Sequence, residues 1–311
     1  MASIFVTIEG VTAQTPTPLE EAPAPLAGGR RLLLKREDQH ELGAFKWRGA
    51  LPTLEGFRAR GADTVITAST GNHGAATAWA AQRTGLRAVV FCPEGSSRAK
   101  VGFMEELGAE LHLVGADVDE AKDAARALAA ERGLPFFEDG AEPAQFDGYE
   151  AIAAELVEQL GESPATVVVP VGNGALIIGV ARGLPRGTTV GVVAKDAPVM
   201  ALSVAAGHPV ESKSSATFAD GMAVRVAVPL AVDEMVGLGI AMLEVSERAL
   251  AEGVGAFAAA GLRVEGSAVA GYAALDRLAD CDDPVVLIVT GRNIDDDLHR
   301  RAVERPESFP D

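Results

Sequence analysis

Lys46 sits in GAFKWRGA (43–50), between two large aromatics, Phe45 and Trp47. An amine placed among rings has two readings. On a helix its stem covers apolar surface while the charge snorkels to water. Buried, the amine loses its proton more easily and becomes a nucleophile that forms imines with carbonyl groups. Its companions in the chain decide the weight. Three loops, each following a strand-like run, could supply them, because ligands in open α/β sheets gather at the carboxyl ends of strands.

The first loop is STGNHG (69–74), which leads into a helix. It offers free backbone N–H groups and the side chains of Ser69, Thr70 and Asn72, a set suited to a carboxylate. An ordinary strand-to-helix turn with Ser/Thr capping is the other reading, and His73 alone proves little. The second loop is VGNGAL (171–176), where Gly172, Gly174 and Ala175 let the backbone wrap a phosphate. Gly172, Gly174 and Gly179 form G-x-G-x-x-x-x-G, which is not the dinucleotide fingerprint, and no Lys-Ser/Thr follows as in a P-loop. The third is VTGRNID (289–295), whose Thr290 ends a strand and can turn its hydroxyl to the same edge. A plain turn capped by Asn293 is equally open. An imine-forming lysine, a phosphate loop and a carboxylate loop together call for a phosphate-bearing aldehyde, and pyridoxal phosphate is that cofactor.

The elements that must position these groups alternate along the chain. RLLLKRE (31–37) reads as a strand. DTVITAS (63–69), LRAVVFCP (86–93) and AELHLVG (109–115) are strands separated by helices at 75–85 and 98–108, with a long helix at 118–133 after them. A second set opens with a helix at 149–161 and continues through strands at 166–172 and 188–194, helices at 175–183 and 197–207, and a late strand at 284–291. Such alternation implies parallel sheets with helices on both faces. The expected fold class is therefore α/β, in two domains, each a twisted and mostly parallel sheet flanked by helices. EDGAEPAQFDG (138–148) is polar and turn-rich and reads as a boundary. Residues 11–30 read as an extended lead-in. Pro52 removes a backbone donor from the helix after Lys46, so a kink or restart is expected there.

Composition excludes some functions. The 311 residues carry a formal net charge of −17, which repels phosphate backbones and anionic lipid surfaces, so neither nucleic acid nor membrane is an expected partner. The longest uncharged apolar stretch, 167–181, is too short and too interrupted by glycines to span a bilayer. Cys92 and Cys281 show no paired spacing, so neither a disulfide framework nor a zinc site is expected. The opening MASIFVTIEG lacks a basic n-region, and a cytoplasmic chain without a signal peptide is the expectation.

In order, KREDQHELGAFKWRGA, TASTGNHGAATAWA, VPVGNGALIIG, FADGMAV, VEGSAVA and VTGRNID resemble the fold-type II pyridoxal-phosphate enzymes, the relatives of the tryptophan synthase β-subunit. Within them the chain is most similar to the threonine/serine dehydratase and serine racemase branch, from Thr17 to about Asp295. The resemblance implies roles. Lys46 is the Schiff-base lysine; Phe45 packs on one face of the cofactor ring and Gly221 on the other. Asn72 bonds the ring hydroxyl, and Thr290 meets the ring nitrogen. The backbone from Gly172 through Asn173, Gly174 and Ala175 to Leu176 takes the phosphate. That of Ser69, Thr70, Gly71, Asn72 and His73 takes the substrate carboxylate. It also implies a large cofactor-binding domain at 1–60 and 146–311, with a small inserted domain at 61–145.

Some positions depart from the family pattern. Ala44 stands where serine is usual, Asn173 and Ala175 where glycines are common, and Arg292 where glycine is usual. GVVAKD (191–196) lacks the glutamate of the family's divalent-metal site, so no metal is expected. No regulatory domain is expected after residue 295, and a homodimer is possible. Glu265 and Ser267 are either close to the ring or helix-capping residues.

The expected reaction is β-elimination of a hydroxy amino acid such as threonine or serine, giving a 2-oxo acid and ammonia, with Lys46 as general base. Amino-acid racemisation is the nearest alternative, with Thr70 at the position of the racemase serine. β-Replacement and non-catalytic binding of the cofactor or an amino acid follow. Arg292 is open to two readings: a partner for Asp295, Asp296 or Asp297, or a receiver for a second carboxylate on the substrate.

Overall fold

The computed structural model describes residues 16–212 and 215–311. The opening decapeptide and residues 11–15 of the expected lead-in lie outside them. The rest of the lead-in forms a short strand, β1 (Leu19–Glu21), and one helical turn.

Two sheets organise the chain. Six strands form the larger: β1, β2 (Leu32–Arg36), β6 (Thr166–Pro170), β7 (Thr189–Ala194), β8 (Ala241–Val245) and β9 (Val285–Val289). Their order is β1-β2-β9-β6-β7-β8. Every pairing is parallel except β1 with β2. The smaller sheet is β3 (Thr64–Ala68), β4 (Arg87–Cys92) and β5 (Glu110–Leu113), all parallel in that order. β2, β6 and β9 are buried at every residue, which is why LLLKR, TVVVP and VVLIV read as unbroken runs and not as alternation.

The helices that position the loops are α1 (Trp47–Ala59), α2 (Asn72–Thr84), α3 (Arg98–Glu106), α4 (Val118–Arg132), α5 (Pro143–Leu160), α6 (Ala175–Arg182) and α7 (Val199–Ala206). Three longer ones follow, α8 (Pro229–Leu238), α9 (Glu247–Ala259) and α10 (Asp296–Glu304), with a single turn at Ala270–Ala273 between the last two. α4 shows how sequence sets a boundary. The Asp117 carboxylate accepts from the N–H groups of Asp119 and Glu120, and Gly133 closes the helix in the left-handed conformation.

Two expectations are corrected. α1 runs through Pro52 without interruption. The carbonyl that Pro52 leaves free, on Arg48, faces Gly148 of α5, where a Cβ would come within 2.1 Å of it. Close packing of α5 thus accommodates the missing bond. The helix expected at 149–161 begins at Pro143, because proline is suited to a first turn, so the polar segment at 138–148 is half helix.

Hydrophobic cores underlie both sheets. Phe45 belongs to one with Tyr149, Val169 and Ile288 of the large-sheet side. Trp47, two residues on, belongs to another with Leu54, Val65 and Trp79 of the small-sheet side. Lys46 stands at the seam. Among the described residues no helix is long and apolar enough to cross a membrane.

Candidate active site

Lys46 is placed by the strand end before it and the helix after it. Ala44 bridges Gly291, Phe45 donates its N–H to the Thr290 carbonyl at 3.1 Å, and α1 starts at Trp47. The Lys46 stem lies against the Phe45 ring, with Nζ 4.9 Å from its centroid, and Phe45 packs on Tyr149. The amine opens into a cleft lined by Phe45, Asn72, Gly221, Ser267, Thr290 and the loop from Gly172 to Leu176. The structure thus brings together every cofactor-binding residue named from the sequence.

Backbone forms one wall of the cleft. A Cβ on Gly172 would meet the Gly221 carbonyl at 2.3 Å, and one on Gly221 would meet Ser267 Oγ at 2.7 Å. Gly174 takes φ +95°, which turns the chain into α6 at a position that has no capping side chain of its own. Asn173, where glycine was expected, accepts from the Ala175 N–H at 3.0 Å. The loop keeps its course with a side chain because Asn173 folds back on its own backbone.

Asn72 begins α2, three residues earlier than expected. Its amide donates to Glu265 at 3.1 Å and accepts from Asn293 at 2.8 Å. Glu265 caps no helix with its side chain; it reaches the cleft. Burial first, then the Asp220 charge, push its carboxyl up to about 8, against the Asn72 hydrogen bond. At neutral pH most of it is protonated.

Lys46 Nζ donates to Asp139 Oδ2 at 2.7 Å, a contact no motif announced. Gln145 donates to the other carboxylate oxygen at 3.0 Å, and His73 Nδ1 lies 3.7 Å away. Burial would raise the Asp139 pKa, but the charges of Lys46 and His73 and the bonds from Lys46 and Gln145 hold it well below the usual carboxylate range. Asp139 and Gln145 lie in the segment read as a polar boundary. The available signal was a carboxylate in a glycine turn, too common to single out.

The chemistry of the donor set fits pyridoxal phosphate. Thr290 Oγ1 and Ser267 Oγ are buried, line the cleft, and have no hydrogen-bond partner among the described residues. Such groups cost free energy unless a ligand meets them. An amine, two orphan hydroxyls, a glycine-led helix start and a slot between Phe45 and a glycine match a phosphorylated aromatic aldehyde.

Other named residues sit apart from the cleft wall. Ser69 Oγ accepts from the Gly71 N–H at 3.2 Å, and Thr70 and Gly71 form the bend before α2. The His73 ring is buried behind the loop against Thr67 and Phe137. Its backbone, not its ring, belongs to the loop. The Arg292 guanidinium donates to the Asp38 carbonyl, and none of the nearby aspartates pairs with it among the described residues. Asp296 pairs with Arg263 and Asp297 with Arg300.

Residues 11–291 match the model of a family described as pyridoxal-phosphate dependent enzyme. An L-threonine dehydratase of Pasteurella multocida is 36% identical over 202 residues, covering 63% of this chain and 39% of that protein. The chain thus spans about two fifths of that relative. A putative threonine dehydratase of Sinorhizobium fredii is 32% identical, over 88% of this chain and 86% of the relative. Among solved structures, the processed threonine deaminase isoform 2 of Solanum lycopersicum superposes with a TM-score of 0.86 at 28% identity, covering 93% of this chain and 88% of that one.

Proposed function

Because the chain belongs to the pyridoxal-phosphate dependent enzymes, we propose that it eliminates water from a hydroxy amino acid such as threonine or serine, giving a 2-oxo acid and ammonia. The observation that carries this reading is the convergence of the Lys46 amine and the orphaned Thr290 hydroxyl on one cleft, at the mouth of the Gly172–Leu176 loop.

When bound, the cofactor supplies an electron sink for the bond that breaks at the α carbon. The chain's residues do the rest. Lys46 would hold the aldehyde, and its free amine would take the Cα proton on Nζ. The N–H groups at the start of α6 take the phosphate. Phe45 and Gly221 bracket the ring, and Asn72, steadied by Glu265 and Asn293, faces its hydroxyl. Thr290 would meet the ring nitrogen with a hydroxyl, which would not hold it protonated as a carboxylate would. The loop Ser69–His73 takes the substrate carboxylate on backbone N–H groups.

The same reading divides the chain into a large cofactor-binding part, 1–60 and 146–311, and a small part, 61–145. It places a homodimer in the cytoplasm. The test is direct. Protein purified with pyridoxal phosphate should release a 2-oxo acid from L-threonine or L-serine in a coupled reductase assay. Absence of oxo acid from both, with cofactor bound, would overturn elimination of hydroxy amino acids.

A further inference from the structure

Asp139 has no part in the reaction as laid out, yet it is the group in contact with the reactive amine. Four observations bear on its task. Lys46 Nζ and Asp139 Oδ2 are 2.7 Å apart. The carboxylate is seated: Gln145, fully buried, donates to its other oxygen and in turn accepts from the Gly140 N–H at 2.8 Å. The titratable groups that bear on the pair are His73 from α2 and Tyr149 from α5, which face Asp139, and Glu265, which lines the same cleft and acts on Lys46. Finally, Asp139 comes from the connection between α4 and α5, where the next residue, Gly140, packs against Asn173 of the loop Gly172–Leu176.

The geometry points to Asp139 as the positioning residue that sets the charge of the free Lys46 amine. An anion held at hydrogen-bond distance favours ammonium over amine. Two consequences of opposite sign follow. Attachment of an aldehyde needs the neutral amine, so Asp139 slows cofactor uptake. Proton removal from the substrate ends with the ammonium: the Cα–H bond breaks, the proton forms an N–H bond on Nζ, and the carbon's electron pair passes into the bound carbonyl cofactor. Asp139 stabilises the cation so formed and speeds that step. Its depressed pKa is consistent with a carboxylate ionised throughout.

This inference rests on the elimination reading, and its test separates the two. Asp139→Asn keeps size and an acceptor oxygen but removes the charge. With the full chain stripped of cofactor, uptake of pyridoxal phosphate at neutral pH, followed by absorbance, should be several-fold faster in Asp139→Asn than in wild type. In the loaded enzyme, exchange of the substrate Cα hydrogen with deuterated water should be several-fold slower. Asp139→Glu should move both back towards wild type. A merely structural role would shift both rates in one direction. That result, or no shift in either, overturns the proposal. Uptake by neither protein overturns the cofactor reading instead. Should Asp139→Asn fail to fold, carbon NMR of the unaltered cofactor-free chain decides: the Asp139 carboxyl must stay ionised through the range where carboxylates ordinarily titrate, and a normal titration overturns the proposal.

Discussion

Lys46→Ala removes both the covalent holder and the base, so turnover should fall by at least about a thousandfold. The circular dichroism spectrum should remain native. A variant keeping a tenth of the activity would displace Lys46 from its role. Thr290→Val is a finer probe. The hydroxyl has no partner among the described residues, so in the cofactor-free chain its loss should cost almost nothing and could gain about 1 kcal/mol. With pyridoxal phosphate present, the rise in melting temperature on loading should be smaller than in wild type, since stabilisation follows affinity. An equal rise would place the hydroxyl away from the cofactor. Glu265 gives a pH dependence. Its carboxyl, ordinarily near 4.5, is pushed up to about 8 in the folded chain. Between those values the fold keeps a proton that the unfolded chain has released, so stability falls as pH rises and the loss is complete above about 8. His40, pushed down from 6.5 to about 4 by burial, works the other way between its two values. The Glu265 effect therefore stands clear between 6.5 and about 8. Urea unfolding of the cofactor-free chain should weaken across that window by up to about 1.4 kcal/mol per pH unit. Glu265→Gln should flatten the slope, and a persistent slope would assign it to another group.

Among the elements, the tightest demand is the crossing of α1 and α5. Gly148 lies against the Arg48 carbonyl that Pro52 leaves without a helical donor. Gly148→Ala would drive a methyl group to 2.1 Å from that oxygen, so the helices must part. A loss of about 2–4 kcal/mol in urea unfolding is expected, within the range for overpacking at a site that cannot yield. A loss below half a kilocalorie would show that α5 shifts freely. The strands and helices that carry the cleft were legible because their signals are local: buried runs such as TVVVP, and α4 with Asp117 before it and Gly133 after. β8 was missed because AMLEV is only partly buried and lacks a continuous apolar run. α8, α9 and α10 were also missed. The loops that line the cleft could be picked out because their glycines stand at strand ends. Asp139 could not. It approaches Lys46 across 93 positions of sequence, and only the fold closes that distance. Arg292 was misleading for a related reason: three aspartates follow closely in sequence, yet its guanidinium turns to a carbonyl far away in the chain.

For the whole molecule, the two sheets meet across the cleft, and the chain ties them together with charge. Lys100 of α3 pairs with Asp220 beside the Gly221 face at 2.9 Å, and Arg225 pairs with Asp119 of α4 at 2.6 Å. Both pairs join the small-sheet helices to the segment around Gly221 and Met222, which line the cleft. Exposed pairs yield to salt. Release of pyridoxal phosphate from the loaded protein should therefore quicken in about 0.5 M salt. The double variant Lys100→Ala/Arg225→Ala should release it faster at low salt and respond little to added salt. An unchanged salt response would show that these pairs do not hold the cleft shut. The seam at Lys46 has a calorimetric consequence. Phe45 is packed into one core and Trp47 into another, so a cofactor fixed to the residue between them, and gripped at its phosphate end by the large-sheet loop, fastens two melting units at one point. Heat-capacity scans of the empty chain should show a broad or split endotherm, with the small-sheet core yielding apart from the large. Loading should gather it into a single sharper peak, as the covalent link makes neither core free to open alone.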